Sequence, residues 1–284
     1  MRNGLPVGEL EGYSCQLVVD EGVHWLKDHL NENRDQPFFM YLAFHEPHEP
    51  VASPKKLVEK YLPVARTRDE AEYFANVENV DRAVGKFLKA LKELQQDENT
   101  LVVFTADNGP ETLNRYRSAN RSYGTPGPLR GMKLWTTDAG FRVAGIMRWP
   151  ARINPGQTVH QAVSALDFLP TFCKLAGVEP PENLLLDGVS FLPALENKPL
   201  IRSKPLIWAY YNAINEHRVA MRDGQWKVLA KLNHGNLKKI QNLHNGNIDE
   251  VKAAKLTDIE IYRISKDIGE SKNLATELPD QLTL

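Results

Sequence analysis

Leu101 to Glu111 reads LVVFTADNGPE, so Asp107 and Asn108 follow directly on an apolar run suited to a buried strand. A carboxylate beside an amide carbonyl is a pair of hard oxygen donors, the kind calcium and magnesium take. A zinc site would more naturally place a histidine next to the aspartate. Calcium takes about six to eight oxygens, so two side chains supply only part of its shell. The same residues also read as a turn, because Asn-Gly is a strong hairpin signal and Asp and Asn tolerate left-handed backbone.

Two further residue types bear on an anion. Lys133 lies in PLRGMKLWTTDAGFRV, where Gly131 frees the backbone. An ammonium there could face a bound oxyanion, a contact of roughly 4 kcal/mol before desolvation at about 4 Å and an effective dielectric near 20. A lysine beside a loop is more often a solvated charge. His48 lies between Pro47 and Pro50, where it either shapes a turn or donates to an anion or a leaving group near neutral pH. His45 is read as structural.

The elements that position these groups follow from periodicity. Val19, Val23, Leu26 and Leu30 recur at helical spacing and predict an amphipathic helix over about Cys15 to Asn31. Pro37 opens PFFMYLAF, a continuous apolar run that suits a strand buried on both faces. Tyr73, Val77, Val80, Val84, Phe87, Leu91 and Leu94 predict a long helix over about Arg68 to Gln95, and LVVFTA is the next strand. Strand, helix, strand order predicts an α/β fold with a mainly parallel central sheet flanked by helices, whose ligands collect outside the strands' carboxyl ends. Both apolar runs end in polar clusters there, one in His45-Glu46-Pro47-His48 and the other in Asp107-Asn108-Gly109.

Glu111 to Gly131 lacks apolar periodicity and predicts a long surface loop; its Arg115, Arg117, Arg121 and Tyr123 could line a sugar or aryl pocket, or simply be solvated. Val143 to Trp149 predicts a strand, and Asp167 to Leu175 a capped helix stopping at Gly177. Composition shifts near Pro199 to Pro205. Beyond it, RVAMR-DG-QWKVL predicts a hairpin about Asp223-Gly224, and DIEIYRIS another strand. The expected organisation is an α/β domain over 1–200 and a small α+β subdomain with antiparallel strands over 201–284.

Composition excludes several classes. The chain has 284 residues, 42% hydrophobic and 25% charged, an ordinary globular balance. Lysine plus arginine (35) nearly cancels aspartate plus glutamate (36), leaving no basic field to recommend a nucleic-acid or membrane partner. The apolar runs are far shorter than the roughly 20 residues that cross a bilayer, so no membrane span is expected. The first residues contain no apolar signal core, which leaves localisation open. Cys15 and Cys173 have no CxxC spacing and read as small buried side chains.

PFFMYLAFHEPHEP, VENVDRAVGKFLKAL, VVFTADNGPE, LRGMKLWTTDAGFRVAGIMRWP, and finally MRDGQWKVL with EIYRISKDIGESKNLA, taken in order, resemble the sulfatase family of the alkaline phosphatase superfamily. The resemblance runs over almost the whole chain and implies an alkaline-phosphatase-like fold. It implies Asp107 and Asn108 as calcium ligands, Lys133 as a sulfate contact, and His48 as a contact to the sulfate or the leaving oxygen. In the family reaction hydrated formylglycine attacks sulfur, the metal and the lysine stabilise oxyanion charge, and a histidine helps the alcohol leave. The implied substrate is a sulfate ester, with a sulfated carbohydrate favoured by analogy, and family members are commonly extracytoplasmic.

The departures from the family pattern carry equal weight. Family members place upstream a pair of acidic metal ligands and a Cys-x-Pro-x-Arg signature whose cysteine becomes formylglycine. Here Cys15 sits in SCQLV and Cys173 in FCKLA, and Ser203 in SKPLI has the proline without the arginine. Ala144 stands where the pattern often has proline. The expectation is therefore an N-terminally incomplete catalytic domain, inactive as given and binding calcium weakly. Its sheet would be left with an exposed edge open to self-association. The alternatives are a metal-dependent phosphoesterase or phosphonate hydrolase of the same superfamily, which Asn108 in place of histidine disfavours, and a non-catalytic sulfatase-like binding or structural protein.

Overall fold

In the computed structural model, residues 2–111, 120–233 and 243–278 are described. The chain divides into two compact units, residues 1–100 with 111–124, and residues 101–110 with 125–284. Arg115 and Arg117 lie outside the described residues.

The first unit is helical. Helix α1 (Ser14–Asn33) forms where the 3.6-residue apolar period predicts it, burying Cys15, Val19, Leu26 and Leu30. Its Cys15 and Val19 pack against Val80 and Ala83 of the long helix α3 (Arg68–Glu93). The start of α3 is set by Thr67, whose hydroxyl accepts from the Glu70 backbone N–H and satisfies one of the first-turn donors. Between them α2 (Lys55–Tyr61) seats Leu57 and Val58 on Ala71 and Ala75 of α3.

The second unit holds the strands. β1 (Val102–Phe104) pairs antiparallel with β2 (Ile146–Arg148). Between them lies the four-residue helix α4 (Asp138–Phe141), and after them α5 (Phe168–Ala176) and α6 (Leu192–Leu195). α5 stops at Gly177, whose φ of 68° is the left-handed conformation a glycine cap adopts without steric cost. A four-stranded antiparallel sheet follows in the order β3 (Leu206–Ala209), β4 (Val219–Asp223), β5 (Trp226–Asn233) and β6 (Lys255–Arg263), with α7 (Ile248–Ala253) between the last two. Ala220, Leu229, Tyr262 and Ile264 form its core, and Phe141 of α4 stacks on Trp208 at 4.1 Å.

The mainly parallel central sheet predicted from the sequence is overturned: among the described residues every strand ladder is antiparallel. Strand, helix, strand order yields a parallel pair only if both strands enter one sheet. Residues 37–44 do not join a ladder among the described residues. From Phe38 to Phe44 the side chains alternate between half-buried and exposed, so the run docks by one face rather than lying buried on two. Phe44 packs on the α1–α3 core, and Leu42 approaches Gly22 of α1 so closely that a Cβ there would lie 2.9 Å away. β1 instead finds its partner downstream, in a strand that the intervening chain returns in the opposite direction. No helix of the described residues is long and apolar enough to cross a membrane.

Candidate functional site

β1 ends at Phe104, and the chain carries Asp107 and Asn108 into an exposed bend. The Asp107 Oδ1 accepts the Asn108 backbone N–H at 2.9 Å, and Asn108 Nδ2 donates to the Gly109 carbonyl at 2.9 Å. The local hydrogen bonds are those of an Asx turn, yet no hairpin results, because β1 pairs only with β2 among the described strands. Gly109 is buried, and its N–H donates to the Gly140 carbonyl at 2.9 Å.

Lys133 reaches the same neighbourhood by a separate route. Its backbone N–H donates to the Pro110 carbonyl at 2.9 Å, in a turn followed by Leu134 at a φ of 72°. The segment around it closes on itself, since the Arg130 carbonyl accepts from Thr137 Oγ1 at 2.7 Å and from the Ala139 N–H at 3.1 Å. Two backbone hydrogen bonds, Gly109 to Gly140 and Lys133 to Pro110, thus bring the Asp107-Asn108 bend and the Lys133 turn together within the second unit.

His48 belongs to the first unit. Its Nδ1 lies 2.7 Å from the Glu49 carbonyl oxygen and its ring 5.8 Å from that of His45. A carbonyl can only accept, so Nδ1 is the donor in this contact. The surrounding loop is anchored by two carboxylates to which the sequence reading assigned no role. Glu46 Oε1 accepts from Ser14 Oγ at 2.6 Å and from the Cys15 N–H at 2.9 Å, which fixes the loop to the start of α1. Burial works against the Glu46 charge, but these bonds hold its carboxyl below the ordinary glutamate value. The buried Glu49 accepts from the Val51 N–H at 3.1 Å and the Arg121 N–H at 2.5 Å.

Of the predicted loop's polar residues, the described Arg121 and Tyr123 have structural partners. Arg121 pairs with Asp69 at 3.0 Å and also donates to the Val51 carbonyl, and Tyr123 shares a 3.0 Å hydrogen bond with Thr67. Cys15 is fully buried, and burial together with the nearby Glu46 charge pushes its thiol up to about 12. A thiol held that high is not a nucleophile at neutral pH. Among the described residues no group of three or more His, Cys, Asp and Glu side chains gathers as a metal site.

Residues 2–178, more than half of the chain, match the family model described as Sulfatase. The chain belongs to the sulfatase family. A second model, N-sulphoglucosamine sulphohydrolase, C-terminal, matches residues 132–268. Among curated sulfatases, the N-acetylgalactosamine-6-sulfatase of Canis lupus familiaris is 33% identical over 77% of this chain and 38% of its own length. Arylsulfatase A of Homo sapiens is 33% identical over 86% of this chain and 45% of its own. The chain therefore spans less than half the length of these sulfatases. Among solved structures, the crystal structure of Ps i-CgsB in complex with k-i-k-neocarrahexaose shares 30% identity at a TM-score of 0.77, covering 99% of this chain and 55% of that one. Calcium and formylglycine are properties of the sulfatase family at large, and the donor chemistry at Asp107 and Asn108, hard oxygens with no imidazole beside them, is of the kind calcium takes.

Proposed function

We propose that this chain is the downstream part of a calcium-dependent sulfatase that hydrolyses sulfate esters of carbohydrates, and that it is inactive in the form given. The observation that carries the reading is the joining of the Asp107-Asn108 bend to the Lys133 turn by the Lys133–Pro110 and Gly109–Gly140 hydrogen bonds. Two oxygen donors and an ammonium then belong to one small backbone assembly. The carbohydrate class is supported by the structure of similar fold, Ps i-CgsB, solved in complex with k-i-k-neocarrahexaose.

In this reading Asp107 and Asn108 hold the calcium with their side-chain oxygens, which supply part of the shell the ion needs. Bound there, calcium would supply Lewis-acid stabilisation of negative charge. Lys133 places its ammonium against the negative charge that grows on the sulfate oxygens as the ester bond breaks. For His48, in the first unit, the support is the family pattern alone, which assigns it a contact to the sulfate or the leaving oxygen. The nucleophile is contributed by the family's Cys-x-Pro-x-Arg segment, a motif absent from these 284 residues.

The test pairs binding with turnover on the purified chain. Aryl sulfate hydrolysis is expected to be undetectable with or without calcium, because orienting groups without a nucleophile supply only residual catalysis. Calorimetric titration is expected to show calcium binding at about millimolar strength, since few charged ligands give weak sites. Loss of that binding in Asp107→Ala supports the ligand assignment, and unchanged binding overturns it. Turnover that Lys133→Ala and chelation both abolish would place a nucleophile within this chain.

A further inference from the structure

Among the described residues of the second unit, a deeply buried charged cluster lies beside the proposed site but contributes no group to it. Lys227 is 0% exposed, Asp138 1% and Glu270 2%. The Lys227 Nζ lies 2.7 Å from Asp138 Oδ1 and 2.9 Å from Glu270 Oε1, the latter outside hydrogen-bond geometry, and 4.4 Å above the Phe141 ring. Asp138 is also 3.4 Å from the half-exposed Arg142. Withdrawing three charges from water is costly, and well-packed apolar replacements of buried ion clusters are often as stable or more so. Such a cluster therefore calls for a reason other than stability.

Its geometry supplies one. Glu270 grips both ends of the segment that carries Lys133: its Oε2 accepts the Asp138 N–H at 2.8 Å, and its carbonyl accepts from Arg130 NH1 at 3.3 Å. Arg130 is further held by Tyr262 at 2.8 Å and Glu260 at 3.3 Å. Asp138 begins the short helix whose Gly140 carbonyl receives the Gly109 N–H, and Lys133, midway along the segment, donates to Pro110. Contacts from Lys227 and Glu270 thus fix Asp138 and Arg130, which bracket the Lys133 turn and begin the helix whose Gly140 carbonyl makes the second backbone bond of the proposed site.

We infer that Lys227, Asp138 and Glu270 are positioning residues that hold the Lys133 segment in register with Asp107 and Asn108. The inference rests on the site proposed above for its functional meaning, while the tether itself concerns only the backbone. Ionic contacts suit this task because they are directional. An apolar trio would fill the same space without fixing where the Asp138 N–H points.

The test is amide hydrogen exchange by NMR on the full chain, comparing wild type with the near-isosteric Glu270→Gln. The Lys133 and Gly109 amides are expected to exchange at least about tenfold faster in the variant, with amides of the β3–β4 ladder at wild-type protection. Equal acceleration of loop and ladder would show a contribution to stability alone and overturn the inference, and so would no change at the two loop amides. Should Glu270→Gln fail to fold, Glu270→Asp keeps the charge and withdraws it by one methylene, with the same two outcomes read. In parallel, calcium is titrated while the Gly109 amide shift is followed; half-saturation is expected to rise about tenfold in the variant, as when ligand-supporting groups are lost elsewhere. A wild-type chain with no calcium-dependent shift would sink the metal site while the exchange comparison still decides the tether.

Discussion

The Gly109 N–H donates to the Gly140 carbonyl at 2.9 Å, and a Cβ on Gly109 would lie 1.7 Å from the Ala139 carbonyl oxygen. The glycine after Asp107-Asn108 is thus required for the close approach of two backbones. Its neighbour in the motif, Asn108, sets the local turn, but Gly109 sets the docking.

Gly109→Ala is accordingly expected to destabilise the protein by about 3 kcal/mol or more, because the atom it meets is backbone and cannot rotate away. Urea unfolding checks this. A midpoint within error of wild type would mean that α4 can move aside without loss.

Lys227→Met is expected to cost about 3–5 kcal/mol, since it leaves Asp138 and Glu270 buried together without their ammonium. Adding Asp138→Asn and Glu270→Gln to the same chain removes the stranded charges and should recover much of that loss. Chemical denaturation of the single and triple variants measures the coupling, and simple additivity of the losses would contradict it.

Acid sensitivity should arise partly between α2 and α3. Glu78 lies 2.7 Å from Lys60 Nζ and 2.7 Å from Arg82, and hydrogen bonds from Lys60 first and Tyr61 second lower its carboxyl from 4.5 to about 2. A carboxyl depressed by folding stabilises the native state above its unfolded value, and that contribution fades as pH falls from 4.5 toward about 2. The stability difference between wild type and Glu78→Gln should therefore be larger at about pH 6 than at about pH 3. A constant difference across that range would assign the effect to packing.

Self-association should depend on the outer face of residues 37–44. Phe39 is 69% and Tyr41 82% exposed, on an extended segment outside any ladder of the described residues. Exposed apolar strand-like segments template pairing with other chains, and a charge at such positions opposes it. Sedimentation of Phe39→Lys/Tyr41→Lys should show less concentration-dependent association than wild type. Identical profiles would clear this face.

The three longest helices, α1, α3 and α5, were legible in the sequence because their apolar residues recur at the period of the helix itself, whereas the shorter α2, α4, α6 and α7 carry too few turns to show it. Val19, Leu26 and Leu30 mark α1 in this way, and Gly177 marks the end of α5 by its own conformational freedom. The roles proposed for Asp107, Asn108 and Lys133 rest on residue types in a family order. Strand partnership was not: nothing within PFFMYLAF or LVVFTA says which backbone each will meet, and the tertiary structure joined β1 to β2 antiparallel and left residues 37–44 outside any described ladder. Lys227 shows the same limit on the scale of one side chain. In QWKVLA a lysine reads as the solvent face, yet its register places it on the buried side with Leu229. That burial is tolerable only because Asp138 and Glu270 arrive from distant parts of the chain to meet its charge. Local pattern determined what each segment could become; contacts between segments remote in sequence decided which charges are buried, which backbones touch, and where Lys133 is held.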